Sequence, residues 1–357
     1  MEFGILFTSH PNAEAEPYPH RDVHARVTKE IEFADQLGFD TAWVAEHHFS
    51  NQYGIMPDVF SYMSYLAART ERIKLGAAVV TLPLYEPLRV VENMAFVDIL
   101  SEGRVILGLG SGYREYEFEG FGRNFEARRD VQEEAIDMIL EGIHKRQINH
   151  EGKHFKARVD GEFEIFPVAV QQPHPPLFMG AGTERSMAYA AHHGFGLMLS
   201  TLPGIDALAK QIQFYRSELA KAPAPLDQNP AFGCVDLARW VYVAESDEQA
   251  RKESEAGILK HFEHFASKLT SGYLGSVSEK GAGDLDYDNL ARTTLVHGSP
   301  ETVIARLREL RDRTGMTSLL VHYPPYYGHE KAMKSLRLFA EKVMPVLRED
   351  ARKAAAE

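Results

Sequence analysis

The sequence predicts a (β/α)8 barrel, a TIM barrel of the α/β class. Short and almost continuously apolar segments alternate with segments whose apolar residues recur at helical spacing, and eight such pairs can be counted. The apolar segments lack the polar alternation of half-exposed strands, which is typical of strands covered on both faces. Eight parallel strands in 357 residues suit a closed barrel. An open, doubly wound sheet is the less favoured alternative.

The individual elements follow from where these patterns begin and end. Between residues 21 and 37, apolar side chains recur close to one helical face, Gly38 supplies a stop signal, and an apolar run follows. Each further strand is predicted from an apolar run between polar turns, and each further helix from the segment behind it. The predicted strands are residues 3–8, 41–45, 73–80, 105–109, 177–180, 196–199, 236–243 and 318–322.

Two segments interrupt the repeat and are predicted as insertions at the C-terminal face of the barrel. Residues 149–176 alternate polar and apolar side chains and end rich in proline, which predicts a hairpin and an extended connection. Residues 266–295 contain four glycines and form either a water-excluding lid or a surface insertion. We predict one domain over residues 1–347 and a polar helical tail over 348–357.

Composition limits the class of partner. The formal net charge of −12 disfavours nucleic acids and anionic membranes, and no apolar run approaches the roughly 20 residues that cross a bilayer. Cys234 is the one cysteine, so no intramolecular disulfide can form, and the N-terminus lacks the pattern of a signal segment. We therefore predict a cytoplasmic protein that acts on a small molecule, without nucleic acid or membrane partners.

Histidines mark the expected active face. The chemistry of a TIM barrel lies at the C-terminal ends of its strands, and His47 and His48 follow the second predicted strand directly after Glu46. Neighbouring side chains on a strand point to opposite sides, so we expect His47 in the pocket and His48 against its wall. His10 and His322 end the first and eighth strands and are expected on the same rim.

A turn of small residues is a second candidate site. Residues 180–186, Gly-Ala-Gly-Thr-Glu-Arg-Ser, lead from a strand into a helix, where free backbone N–H groups and the helix dipole can hold a phosphate. A helix start capped by Thr183 explains the same residues equally well. Residues 108–112 lack the spacing of a dinucleotide-binding motif. His261 and His264 are interpreted as a solvated helix face, so no metal site is predicted.

Short motifs recur in a fixed order along the chain. They are Trp-Val-Ala-Glu-His-His-Phe at 43–49, Pro-Leu-Tyr-Glu-Pro-Leu-Arg at 83–89, Leu-Ser-Glu-Gly-Arg at 100–104 and Gly-Leu-Gly-Ser-Gly at 108–112. Their order and spacing resemble the bacterial luciferase-like flavin-dependent monooxygenase family, in its FMN branch. The resemblance continues through 178–183 and through Gly-Ser-Pro-Glu at 298–301, and so covers most of the chain.

The resemblance implies a cofactor and its chemistry. Members of the family use reduced FMN, commonly supplied by a separate flavin reductase, together with O2. The two form a C4a-(hydro)peroxyflavin, which oxygenates the substrate, here expected to be a small and largely apolar organic molecule. Insertion of oxygen beside a carbonyl and transfer of OH to an electron-rich substrate both stay open.

The resemblance also implies site residues and an assembly. His47 matches the active-site histidine of the family. A homodimer is expected through the early helices, here about residues 57–69 and 86–100. The matching cofactor positions are Ala78 and Val79, which a non-prolyl cis peptide joins in many members, and Ser111, Ala181, Gly182, Thr183 and Ser186. The expected substrate pocket, whose members core packing explains equally well, consists of His10, Tyr53, Met56, Tyr113 and Met198.

Some positions depart from the family pattern. Gly110 stands where the light-emitting subunit has a reactive cysteine, and Ser111 replaces a phosphate-binding arginine, so light emission is disfavoured. Arg114 or Arg185 could supply the missing positive charge. Two other functions stay open, an F420-dependent hydride-transfer oxidoreductase on the same barrel and a non-catalytic flavin-binding partner subunit.

Overall fold

The computed structural model describes residues 1–50, 53–222, 228–265 and 286–354. Within these ranges, the strands are β1 (Glu2–Phe7), β2 (Thr41–Val44), β3 (Lys74–Thr81), β4 (Val105–Gly110), β5 (Ile148–Glu151), β6 (Lys156–Val159), β7 (Leu177–Gly180), β8 (Gly196–Leu199), β9 (Val235–Val243), β10 (Leu295–Gly298) and β11 (Ser318–His322). Eight of them are parallel and form a closed barrel in the order β1-β2-β3-β4-β7-β8-β9-β11, and β11 pairs with β1. The predicted TIM barrel is confirmed.

Helices cover the outside of the barrel and begin and end at the signals that the sequence carries. Gly38 ends the first helix in a left-handed conformation with φ of 80°, and the Ser299 side chain caps the helix that begins at Pro300. The helices are α1 (Pro19–Leu37), α2 (Val59–Ala67), α3 (Pro87–Leu100), α4 (Glu115–Gly120), α5 (Arg128–Lys145), α6 (Glu184–His192), α7 (Ile205–Leu219), α8 (Asp247–Phe265), α9 (Tyr287–Thr293), α10 (Pro300–Thr314), α11 (His329–Leu338) and α12 (Met344–Ala354).

The barrel interior is filled by large side chains that face glycines. Trp43 on β2 is 1% exposed and meets Phe178 edge-on, with ring centroids 5.4 Å apart. A Cβ atom on Gly76 of β3 would lie 2.3 Å from the Trp43 ring, so only glycine leaves room for the indole there. The interior is therefore a packed core, and open space for a ligand must lie at the strand ends.

A ninth parallel strand escaped the sequence analysis. β8 pairs with residues 235–237 of β9, and β10 pairs with residues 240–243 of the same strand. The prediction of a loop over 266–295 is therefore wrong for its last part, where α9 and the start of β10 lie. The lid predicted for the earlier part, residues 266–285, lies outside the described residues.

The first insertion forms the expected hairpin. β5 and β6 pair antiparallel, and Glu134 of α5 holds the hairpin through His150 and the His154 amide. The connection that follows is tied to the N-terminal end of the barrel, because Gln171 donates to Asp98 and to the carbonyl at the start of β4. The tip of the hairpin, in contrast, reaches the beginning of α5, where Lys153 lies 3.9 Å from Asp130.

The C-terminal helix α12 is attached to the barrel. Arg348 on this helix donates to the Asp40 carboxylate and to the Gly38 carbonyl. The boundary predicted after residue 347 falls inside α12. Cys234 is half-buried just before β9, at the end opposite the strand C-termini, and burial raises the pKa of its thiol. No helix among the described residues has the length and apolar character that a membrane span requires.

Candidate active site

His47 stands beside a carboxylate that the sequence analysis did not single out. The chain leaves β2 at Val44, and the buried His47 imidazole places Nδ1 3.2 Å from Oε1 of Glu117. Glu117 lies on the buried face of α4, which follows β4. The same carboxylate oxygen accepts the backbone N–H of His48 at 3.0 Å. The segments that follow β2 and β4 are thus tied together at the C-terminal mouth of the barrel.

The charges of this pair follow from burial and from mutual contact. Burial lowers the pKa of His47 to about 4, aided by the charge of Arg114 and opposed by Glu117. Burial acts to raise the pKa of Glu117, but the hydrogen bonds from His47 and from the His48 amide, together with the charge of Arg114, hold it below its ordinary value. At neutral pH a neutral imidazole therefore meets an ionised carboxylate. Nδ1–H donates to Glu117, and Nε2 keeps its lone pair.

His48 faces the other side of the chain, against the wall. Its Nε2 lies 3.0 Å from Oε1 of Glu46, and the other Glu46 oxygen accepts the Tyr85 hydroxyl at 2.6 Å. Glu46 is buried, and burial raises its pKa. The ring of Phe121 meets His48 edge-on, with centroids 4.8 Å apart. These contacts give His48 a bracing position.

Three of the five residues expected in the substrate pocket gather around His47. Tyr53 and Tyr113 meet the imidazole edge-on, with centroids 4.9 and 6.1 Å away. His10 lies 6.0 Å from the Tyr53 ring and 5.5 Å from the His261 ring. The mouth of the barrel is therefore walled by aromatic and imidazole rings, a lining typical of a small-molecule site.

The two methionines of the expected pocket have other surroundings. Met56 packs in the main hydrophobic core, and its backbone carbonyl accepts the His47 amide at 2.9 Å. Met198 packs against the interior cluster that contains Trp43. Met56 therefore positions the backbone of His47, whereas Met198 sits below the mouth.

His261 is not on a solvated helix face, so that interpretation is wrong. Its side chain is 1% exposed, and its ring lies 4.6 Å from Trp240 and 6.4 Å from His322. The sequence carried a signal for this, because His261 follows the apolar Ile258 at i+3 spacing and the apolar Phe262 follows the same isoleucine at i+4, a pattern typical of a buried helical face. His322 is buried as well, and burial lowers its pKa to about 4.

The floor of the mouth is shaped by β3. Ala78 and Val79 are joined by a non-prolyl cis peptide, and the pairing of β3 with β4 shifts after Ala77. A Cβ atom on Gly110 would lie 2.4 Å from a Val79 methyl, and one on Gly108 would lie 2.2 Å from the Ala77 carbonyl oxygen. The glycines of residues 108–112 are therefore required by the close approach of β3.

The turn before α6 combines both interpretations that the sequence left open. The Thr183 side chain caps the helix by accepting the Ser186 amide, and the Ser186 hydroxyl accepts the Thr183 amide. The amides of Glu184 and Arg185 have no acceptor within the helix. A Cβ atom on Gly182 would meet nothing within 4 Å, so the turn opens to free space. A capped helix start here is compatible with an anion site.

Both arginines that the sequence suggested as the source of positive charge have other contacts. Arg185 is balanced by Asp130 at 3.0 Å and Glu133 at 2.8 Å, and Arg114 lies in the aromatic wall. Arg128 opens α5, donates to the Phe125 carbonyl, and keeps its buried Nε without a partner. Asp130, in the same turn as Arg128, reaches Arg185 at the start of α6, so the beginnings of α5 and α6 lie close together.

The remaining cofactor positions line the same region. Ser111 is half-buried directly after β4, with its hydroxyl 3.5 Å from the Gly112 carbonyl. The Ala181 amide donates to the Met198 carbonyl at 3.2 Å. An open turn, hydroxyls and the unpartnered Nε of Arg128 fit a phosphate, and the neighbouring aromatic mouth fits a flat ring system. Among the described residues, no group of three histidine, cysteine or acidic side chains could hold a metal.

The relatives of this chain include a monooxygenase and an F420-dependent dehydrogenase. The chain is 27% identical to limonene 1,2-monooxygenase of Rhodococcus erythropolis, over 88% of this chain and 79% of that protein. It is also 27% identical to an F420-dependent glucose-6-phosphate dehydrogenase of Amycolatopsis mediterranei, over 94% of this chain and 97% of that protein.

Solved structures share the whole fold. Monooxygenase RslO1 from Streptomyces bottropensis superposes with a TM-score of 0.80 at 25% identity, covering 97% of this chain and all of that one. The oxygenating constituent of 3,6-diketocamphane monooxygenase from Pseudomonas putida, solved in complex with FMN, gives 0.78 at 21% identity over 97% and 98%.

The family model described as luciferase-like monooxygenase matches residues 1–318, which is most of the chain. Proteins of this fold family bind either a flavin or F420. The barrel, the histidine at its mouth and the match of the family model agree, and the chain belongs to the luciferase-like monooxygenase family.

Proposed function

We propose that this protein is a monooxygenase that uses reduced FMN and O2 to oxygenate a small, largely apolar organic molecule. The observation that carries the proposal is the neutral His47, oriented by Glu117, between an aromatic mouth and an open anion-binding turn. A flat cofactor with a phosphate tail matches that layout. The relationship to limonene 1,2-monooxygenase supports an apolar substrate.

The bound flavin would supply the activation of O2, and the residues of the chain would control its surroundings. Gly182, Ser111, Thr183 and Arg128 would hold the phosphate. Tyr53 and Tyr113 would exclude water, which protects a reactive cofactor from wasteful reaction. The supply of reduced FMN by a separate flavin reductase is part of the proposal, since the aromatic mouth offers no evident second cofactor site among the described residues.

His47 would act as the acid–base group of the reaction. With Nδ1–H held by Glu117, the free lone pair of Nε2 accepts a proton or a hydrogen bond from the reacting group. Such an acid–base group contributes roughly 10²–10⁴-fold to a rate. The buried Glu117 then stabilises the imidazolium that forms, because the two charges have opposite sign.

The first experiment is an anaerobic titration of the purified protein with reduced FMN, oxidised FMN and reduced F420. We expect reduced FMN to bind in preference to the other two. The complex is then mixed with oxygenated buffer and a panel of cyclic ketones and terpenes under ¹⁸O2, and product mass is recorded. A product that carries one ¹⁸O atom supports the proposal. Tighter binding of F420 without oxygen consumption would overturn it in favour of hydride transfer, the activity of the F420-dependent relative.

A variant pair locates the chemistry. We expect His47→Ala to keep its affinity for reduced FMN within about threefold while H2O2 replaces labelled product, because proton control is lost. His20→Ala, an exposed histidine on α1, serves as control and should behave as the wild type. Unchanged coupling in His47→Ala would remove His47 from the reaction. Turnover by the chain alone, with a generic reductase, would exclude a non-catalytic partner subunit.

We further propose that the protein is a homodimer. The two early helices present large apolar side chains to solvent, and the exposed fractions of Tyr65 on α2 and Phe96 on α3 are 51% and 52%. Ile99 and Leu100 extend this surface at the end of α3. Contiguous exposed apolar side chains are typical of an interface between subunits.

A further inference from the structure

Arg114 carries a buried charge that the proposed reaction does not use. Its side chain is 2% exposed at the start of α4. The guanidinium donates to the Tyr116 hydroxyl at 2.9 Å and to the Tyr113 hydroxyl at 3.2 Å, and its Cζ lies 4.4 Å from the centre of the Tyr53 ring. The Nε atom is buried and has no hydrogen-bond partner.

Other arginines in this fold show how a buried guanidinium is normally satisfied. Arg239, also 2% exposed, donates to the backbone carbonyls of Ser200, Thr201, Ala238 and Pro203. Arg26 is balanced by carboxylates. Within the described ranges, no carboxylate lies within ion-pair distance of Arg114, which has only neutral phenol oxygens as acceptors. A buried cation without an anion is costly.

Glu117 does not serve as the missing partner. Oxygen Oε1 of Glu117 already accepts both His47 and the His48 amide, although the charge of Arg114 still contributes to lowering its pKa. The guanidinium lies over Tyr53, and Tyr53 and Tyr113 also meet the His47 ring. Arg114 and His47 therefore share one wall of the mouth, where a substrate would enter.

We propose that Arg114 binds a carboxylate of the substrate, so that the substrate is an apolar or aromatic molecule with one acidic group. The free Nε and the planar guanidinium offer two parallel N–H donors, the geometry that a carboxylate accepts. The tyrosine rings contact the apolar part. The inference deepens the proposed function and rests on it for the reaction, whereas carboxylate binding itself is independent of the cofactor.

Reduced flavin is itself an anion near neutral pH and is the competing source of negative charge. An experiment can tell whether Arg114 contacts the flavin or a substrate carboxylate. If Arg114 contacts the flavin, its substitution changes the affinity for reduced FMN, and if it contacts only the substrate, that affinity stays the same. The test therefore measures both ligands on the same variants.

The experiment titrates wild type, Arg114→Gln and Arg114→Lys with benzoate and with benzamide, its neutral counterpart, by calorimetry. We expect wild type to prefer benzoate, and Arg114→Gln to weaken benzoate roughly 10- to 100-fold while benzamide changes by less than about threefold. Lysine keeps the positive charge but lacks the two parallel N–H donors of the guanidinium. The affinity of Arg114→Lys for benzoate should therefore lie between those of wild type and Arg114→Gln. Reduced FMN, titrated anaerobically, should bind both variants as it binds wild type.

Controls separate this result from unrelated effects. Arg158→Gln, on the exposed hairpin strand β6, lowers the net charge equally and should leave benzoate binding unchanged. If Arg114→Gln does not fold, the proposal is tested by the preference of wild type for benzoate over benzamide and by the benzoate affinity of Arg114→Lys. Equal binding of benzoate and benzamide by wild type, or a loss confined to reduced FMN, overturns the proposal. Failure of wild type to bind reduced FMN would reject the proposed function and leave the carboxylate result standing.

Discussion

At the scale of single residues, Glu117 sets the chemical form of His47. We expect Glu117→Gln to lower the yield of oxygenated product roughly 10-fold or more, because a neutral amide no longer stabilises the imidazolium or fixes the Nδ1–H tautomer. The measurement is H2O2 released per O2 consumed, on the reduced FMN complex. Glu119→Gln on the same helix is exposed and serves as control. Additive losses in the His47→Ala and Glu117→Gln double variant would contradict the coupling.

The sequence predicted His47 but not the residues that tune it. His47 stood out because it follows an apolar strand, which is a local pattern. Glu117 is 70 residues away, and nothing in Glu-Tyr-Glu-Phe-Glu distinguishes the buried acid from its exposed neighbours before the barrel brings α4 against the end of β2. The pKa of His47 also depends on this packing, so the ordinary value near 6.5 is not a guide to the folded protein.

At the scale of elements, the close approach of β3 to β4 makes a glycine indispensable. We expect Gly108→Ala to destabilise the protein by about 1–3 kcal/mol, because the added methyl would lie 2.2 Å from a backbone oxygen that cannot rotate away. The free energy of unfolding in urea measures this. A stability equal to wild type would show that β3 moves without cost.

Gly182→Ala is the matched substitution at an open glycine. We expect its stability to stay within about 0.5 kcal/mol of wild type, because the new methyl meets no atom within 4 Å. If the turn holds the cofactor phosphate, the same methyl enters the space of the ligand and weakens FMN binding. Unchanged affinity for FMN would remove this turn from the cofactor site.

Elements with strong local signals were predictable, and the others depend on tertiary contacts. The eight barrel strands are buried on both faces and read as apolar runs, so their positions agree with the structure within a residue or two. β10 has four residues, contains His297, and follows a glycine-rich segment, so its pairing with β9 leaves no comparable pattern. The hairpin was recognisable from its alternation, but its docking on α5 depends on Glu134, a contact that the alternation does not encode.

At the scale of the whole molecule, we expect a dimer whose interface includes α3. Phe96→Asp should shift the mass in solution from about twice 40.2 kDa to the monomer value, because a charge cannot be buried there without a partner. Light scattering after size-exclusion chromatography measures the change. Phe163→Asp, at a residue 67% exposed after the hairpin, should stay dimeric. A wild-type monomer would refute the assembly.

Stability should fall in mild acid because three histidines are buried in their neutral form. Burial lowers the pKa of His47 and His322 to about 4 and that of His297 to about 3. Between these values and about 6.5 the unfolded chain binds more protons than the folded one, so the free energy of unfolding decreases as the pH falls through this range. Each histidine contributes at most about 1.4 kcal/mol per pH unit. Urea unfolding between pH 7 and 4.5 tests this, and a flat profile would contradict it.

Asp236, unlike these histidines, makes the stability of the protein fall as the pH rises. Burial, together with the charge of Glu2, raises its pKa to about 8. The folded chain then holds a proton that the unfolded chain releases above about 4, so this residue reduces stability as the pH rises toward 8. We expect Asp236→Asn to be more stable than wild type at pH 8 and similar to it at pH 4. An exposed control, Asp312→Asn, should show no such difference.

If the protein works with a flavin and O2 as proposed, the position of Cys234 has a consequence for its lifetime during turnover. A flavin that reacts with O2 without a substrate releases H2O2, which oxidises cysteine through its thiolate. The one thiol of this chain is half-buried at the far end of the barrel, and its raised pKa keeps it protonated and slow to react. Preparations should therefore withstand uncoupled turnover without added thiol reductant, and methionine sulfoxide, rather than cysteine sulfinic acid, should be the first damage that mass spectrometry detects.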